Sequence, residues 1–171
     1  MDLKEFQKIK DLDYDRYVQY LLSKYGSAKA DYFTKGFSPN AKCKRSKDGL
    51  FVHHIMEDRV PSLSAPGDAM LWPFEYQKKE NLVYCDYLEH MWLHVLIALH
   101  PKSELVLDHD GLEMFLIPGL QAIYNGYKGR ALWEKPIIDK VKHDKQVFDI
   151  MLDIYINEGL VSDLLLEESA I

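Results

Sequence analysis

Gly49-Leu50-Phe51-Val52-His53-His54-Ile55 and Asn81-Leu82-Val83-Tyr84-Cys85-Asp86-Tyr87-Leu88-Glu89-His90-Met91-Trp92-Leu93-His94 are the two stretches that decide the reading of this chain. The first is short, apolar and rich in β-branched and aromatic residues, and is predicted as a strand ending in two histidines. Asn81 to Cys85 has the same character and is predicted as a second short strand. Asp86 is a helix N-cap by residue type, and the segment after it runs to about Leu99, before Pro101. On that helix His90 and His94 stand four apart, so they stack on one face. Leu88, Met91, Trp92, Val95, Leu96 and Leu99 surround that face almost completely. The helix is therefore expected to be largely buried, with its imidazoles toward a cleft or the core.

A hairpin packed on a helix brings strand-end histidines against a helical His-x-x-x-His pair. His53, His90 and His94 would then hold one divalent ion, leaving positions for substrate and water. Successive strand residues point to opposite sides, so His53 and His54 do not share one ion; one is a ligand while the other faces the reacting water. A neutral imidazole is well matched to taking a proton near neutral pH. Asn81 would fix the hairpin by hydrogen bonding across the connection. Glu57 and Asp58, just after the histidine pair, are read either as acceptors that orient an imidazole or as solvated loop acids.

In this order and on these elements the residues resemble the HNH, or ββα-metal, endonuclease family. Phe51-Val52-His53-His54-Ile55 looks like that family's first strand with its His-His signature, and Asn81-Leu82-Val83-Tyr84 like its Asn-bearing strand. The spacing from Asn81 through His90 to His94 is similar to the colicin-type nucleases. The resemblance covers roughly residues 45–99. It implies His54 as general base, His53, His90 and His94 as metal ligands, and Asn81 as the residue that positions the connection. It also implies hydrolysis of DNA to 5′-phosphate and 3′-hydroxyl ends with one divalent ion, Zn²⁺, Ni²⁺, Mg²⁺ or Mn²⁺. The interval from His54 to Asn81 is longer than in the colicin-type nucleases, and the Cys knuckles of many family members are absent. Pro118-Gly119-Leu120-Gln121-Ala122-Ile123-Tyr124 looks like an extension found on some bacterial and phage members.

The rest of the chain is compatible with a nucleic-acid enzyme only through a local patch. Its net charge is −6, but Asp149, Asp153, Glu158, Asp163, Glu167 and Glu168 follow the last Lys or Arg and account for all of it. Before the histidine pair, Lys35, Lys42, Lys44, Arg45 and Lys47 face only Asp48. A local basic run, rather than global charge, is what a phosphate backbone needs. Lys42, Lys44, Arg45 and Lys47 are the expected DNA contacts. The acidic end is read as the outer face of a last helix. Cys43 and Cys85 form no CxxC pair, which excludes a zinc knuckle, and are expected as free thiols. His100, His109 and His143 lack comparable partners and are read as surface or capping histidines.

With 171 residues and 47% hydrophobic composition, the chain is expected to form one compact domain. No apolar run is long enough for a bilayer, and the first residues lack a signal core, so a cytoplasmic protein of a bacterial or phage-infected cell is expected. Tyr14, Tyr17, Val18, Leu21, Leu22 and Tyr25 have helical spacing, with Gly26 as the stop. The stretch from Thr34 to Gly49 reads as a loop. The long connection from Glu57 to Glu80 carries Pro61, Pro66 and Pro73 and would be packed by Trp72, Phe74 and Tyr76. Leu112, Phe115, Leu116, Leu120 and Ile123 are expected on one helical face kinked at Pro118. Ile137, Val141, Phe148, Met151, Leu152 and Tyr155 are expected on one long final helix. The predicted fold is α+β: a helical segment over 1–34, a small ββα-metal unit over 35–100, and a helical extension over 101–171. The rival to a nuclease is a non-catalytic protein of the same fold that binds nucleic acid or a protein partner, with a structural metal or none.

Overall fold

The computed structural model describes residues 1–106 and 111–158. It is an α+β arrangement of helices around a two-stranded antiparallel sheet. Helix α1 is Leu3–Ile9 and α2 is Tyr14–Tyr25. Asp13 caps α2 by accepting from the Arg16 amide at 2.8 Å, and Gly26 ends it with a φ of 77°. Strand β1 is Phe51–His54 and β2 is Leu82–Cys85; their register pairs His53 with Val83 and His54 with Leu82.

Helix α4, Tyr87–Leu99, follows β2 directly. It starts where the sequence puts it because Asp86 and Glu89 form a reciprocal capping box, with bonds of 2.8 and 2.6 Å. Both carboxylates are buried, and Lys24 of α2 reaches Glu89 at 2.6 Å while also bonding Glu5 of α1. That three-way contact locks the first two helices onto α4. Trp92 of α4 meets Phe6 edge-to-face at 5.1 Å, in the core that also takes Tyr17, Leu88, Met91 and Tyr155.

The turn into β1 depends on Gly49. Its φ is +69°, and a Cβ there would lie 2.5 Å from the Pro136 carbonyl oxygen. Only glycine accepts both the left-handed backbone and the close approach.

Three expectations need correction. The final helix is two helices, α6 (Glu134–Val141) and α7 (Lys145–Asn157), with a turn at Lys142 to Asp144. Val141 and Phe148 are seven apart, so the helical period runs unbroken through that turn and hides it. Phe115 does not share the buried face of Leu112 and Leu116; it is 71% exposed. A π-helical turn, Gly111–Leu116, leads into α5 (Ile117–Tyr124) and rotates Phe115 outward. The connection from β1 to β2 is anchored by Leu63, Ala69 and Gln77, all fully buried, while Trp72, Phe74 and Tyr76 are half-buried. It includes a short helix α3, Pro66–Ala69, and two 3₁₀ turns, Phe74–Gln77 and Lys79–Asn81. Among the described residues no helix is long and apolar enough to cross a membrane.

Candidate metal centre

β1 and α4 bring His53, His90 and His94 together. Their ring centroids are 5.0–5.3 Å apart and the rings stand edge-on to one another. Each offers a nitrogen, and these nitrogens lie within 4.8 Å of one another. The three imidazoles are therefore placed to hold a metal ion, whose bonds to imidazole nitrogen run to about 2.0–2.1 Å for zinc.

The hydrogen bonds show which nitrogens are free. Tyr14 donates its one hydroxyl proton to the Ile55 carbonyl at 2.9 Å, and its oxygen lies 2.9 Å from His53 Nε2. With that proton committed, His53 donates through Nε2–H, and its lone pair is on Nδ1. His53 Nδ1 is buried without a hydrogen-bond partner, and so is His90 Nδ1. An unsatisfied buried nitrogen costs about 1–3 kcal/mol. Two of them within one cluster of neutral imidazoles fit a divalent ion.

The ionisation states agree with this. Burial pushes His53 and His90 well below the ordinary histidine range, and the adjacent imidazoles push them further. Burial brings His94 down to about 4. All three are neutral at pH 7, as ligands must be.

His54 sits on the same strand with a different set of partners. Gln77 donates from Nε2 to the Leu63 carbonyl at 3.2 Å, which leaves its Oε1 to accept from His54 Nε2 at 2.9 Å. His54 therefore carries its proton on Nε2 and a free lone pair on Nδ1. Burial lowers its pKa to about 4, opposed by the bond to Gln77. Tyr32 packs on its ring at 4.4 Å.

Glu57 enters the same space from the 3₁₀ turn after β1, Ile55–Asp58. Its Oε2 is 3.3 Å from His53 Nδ1 and 3.6 Å from His94 Nε2, and its Oε1 is 3.8 Å from His54 Nδ1. Burial pushes its pKa up to about 8, against the Leu63 backbone N–H that bonds it. Asp58 turns the other way, to Lys102 at 2.8 Å. Of the two acids after the histidine pair, Glu57 is at the imidazoles and Asp58 ties the turn to the chain beyond α4.

His54, Glu57, His90 and His94 open onto a cleft of about 830 Å³. Lys44, Ser46, Ser62 and Ser64 also line it, and Phe115 and Trp133 stand on its apolar side, 71% and 56% exposed. Lys42, Lys44 and Lys47 are exposed. Arg45 is committed elsewhere: it bonds Asp48 at 2.7 Å and the Tyr25 carbonyl at 3.0 Å, and its guanidinium lies over the Tyr84 ring at 4.8 Å. Asn81 is away from the imidazoles and donates to the Glu75 carbonyl at 2.9 Å, joining the two 3₁₀ turns before β2.

Cys43 and Cys85 are free and buried. His100 and His143 are exposed, while His109 lies outside the described residues, as do Asp163, Glu167 and Glu168. Asp149 pairs with Lys145 at 2.6 Å on α7, and Asp153 and Glu158 are exposed.

Tyr14 and Gln77 are site residues that sequence reasoning missed. Tyr14 reads as one more apolar position of α2, and Gln77 as part of a polar connection; neither carries a local signal of its partner. No family model, no curated protein and no solved structure matches the chain.

Proposed function

We propose that the protein is a metal-dependent endonuclease of the HNH type that hydrolyses phosphodiester bonds in DNA. The observation that supports this is the different hydrogen bonding of neighbouring histidines on one strand. His53 has a free nitrogen toward His90 and His94, whereas His54 has a free nitrogen of its own, fixed by Gln77, beside the same cleft.

His53, His90 and His94 would hold one divalent ion, Mg²⁺, Mn²⁺, Ni²⁺ or Zn²⁺. When bound, such an ion supplies electrostatic stabilisation of the charge that develops on the phosphoryl group and the leaving oxygen. His54 takes the proton of the attacking water at Nδ1, and Gln77 holds the tautomer that makes this nitrogen the base. Tyr14 likewise holds the tautomer of His53 by accepting a hydrogen bond from its Nε2–H, leaving Nδ1 for the metal. Asn81 and Gln77 tie down the connection between the strands, so that His54 keeps its place against solvent. Lys44 lies where the phosphate backbone of a bound strand would pass, and Lys42 and Lys47 extend that charge along the loop.

The test is incubation of plasmid DNA with the protein and each of the four metals, with EDTA as control. Cleavage that needs metal and is lost in His54→Ala, with metal content retained, supports the reading. Stoichiometric metal binding with no cleavage by any of the four would leave a non-catalytic binding protein instead.

A further inference from the structure

Among the described residues, Glu57 is the one acid whose carboxylate faces the imidazoles, and the roles assigned above leave it without a task. It is 11% exposed, and its oxygens face three imidazoles, those of His53, His54 and His94. Among the described residues no Lys or Arg pairs with it, although Asp58 beside it has Lys102. Burying a carboxylate without a cation is costly, and neutral imidazoles do not supply the missing charge. Its Oε2 lies 3.3 Å from His53 Nδ1 and 3.6 Å from His94 Nε2, both imidazoles members of the metal-binding cluster. A cation held by those imidazoles would lie against the carboxylate.

We propose that Glu57 is a fourth protein donor to the ion, so that the centre is built from three imidazoles and one carboxylate. This rests on the metal site proposed above and adds its charge and selectivity. The carboxylate lowers the net charge of the loaded centre by one. It also adds a hard oxygen donor to three nitrogens, which favours Mn²⁺ and Mg²⁺ relative to the same site without it. The other carboxylate oxygen remains toward His54, so the donor set and the base are in contact through one side chain.

The experiment is calorimetric titration of the metal-free full chain with Mn²⁺ and, separately, Zn²⁺, together with the visible spectrum of the Co²⁺-loaded protein. Wild type should bind one ion per chain. Glu57→Gln, which keeps the shape and removes the charge, should bind Mn²⁺ at least about tenfold more weakly, with a smaller change for Zn²⁺ and an altered Co²⁺ spectrum. A side chain that only oriented a ligand would weaken both metals alike and leave the Co²⁺ bands in place. Unchanged Mn²⁺ affinity and an unchanged Co²⁺ spectrum overturn the proposal while leaving the three-histidine site standing. No ion bound to wild type overturns both. Should Glu57→Gln fail to fold, Glu57→Asp, which keeps the charge but falls short of the imidazoles, serves in its place: a loss of Mn²⁺ affinity relative to wild type that exceeds the loss for Zn²⁺ supports the assignment, and parity with wild type sinks it.

Discussion

The Tyr14 hydroxyl oxygen lies 2.9 Å from His53 Nε2, and this contact decides which His53 nitrogen is free. The same hydroxyl gives its proton to the Ile55 carbonyl, so it can only accept from the imidazole. Tyr14→Phe would leave the His53 Nε2–H buried and unpaired, at a cost of about 1–3 kcal/mol, and would free the ring to switch tautomer. Metal affinity is expected to fall by about 10–100-fold, with the ring ¹⁵N signals of His53 reporting the switch. A variant that binds metal as tightly as wild type would show that Tyr14 has no hold on the ligand.

Gln77 plays the matching part for His54. Gln77→Leu keeps the volume but removes the acceptor that fixes the proposed base, His54. General bases contribute about 10²–10⁴-fold, and loss of tautomer control should forfeit about 10–100-fold of that in kcat. Metal affinity should not move, because Gln77 touches no ligand in the cluster. Titration and cleavage assays on one preparation separate the two quantities, and a parallel drop in both would mean that Gln77 merely supports the fold.

How much of this was legible in the sequence follows from how local each signal is. The capping pair Asp86 and Glu89, the stop at Gly26 and the His90/His94 spacing are set within a turn of helix, and the helices and strands fall where those residues put them. Glu57 was visible as a candidate, but its neighbour Asp58 was an equal one; only the 3₁₀ turn after β1 decides which acid faces inward. Tyr14 meets His53 across 39 positions and Gln77 meets His54 across 23, and nothing near either residue announces the partner. The break between α6 and α7 is hidden for a different reason: the apolar period continues through it.

The metal-free protein should show a pH dependence set by these buried groups. His54 and His94 are down at about 4, against about 6.5 in an unfolded chain. As pH falls from about 6.5 to about 4, the unfolded chain takes up protons that the native imidazoles refuse, and stability is lost. Glu57 is up at about 8, against 4.5 as its ordinary value. Between those two values the unfolded carboxyl ionises while the native one keeps its proton, so this group costs stability as pH rises. Glu57→Gln removes only the second effect. In EDTA, its urea-unfolding free energy should gain on wild type progressively from about pH 4.5 to 8. A difference that stays flat with pH would mean Glu57 is ionised throughout.

The basic loop divides into two kinds of residue, and the division can be measured. Lys42, Lys44 and Lys47 are exposed, whereas Arg45 is held by Asp48, the Tyr25 carbonyl and the Tyr84 ring. If the three lysines neutralise phosphates, each Lys→Ala should weaken DNA binding on every sequence and reduce the slope of log affinity against log salt by roughly one unit. Lys44 lines the cleft and should show the largest loss. Arg45→Ala should behave differently: its stacked and hydrogen-bonded guanidinium positions the chain that leads into β1, so the variant should lose thermal stability with little change in salt slope. Binding is measured across a salt series in a His54→Ala background, which prevents cutting. Slopes unchanged in all three lysine variants would place the DNA elsewhere. A slope change for Arg45→Ala equal to that of Lys44→Ala would mean that its ion pair with Asp48 opens when the backbone arrives.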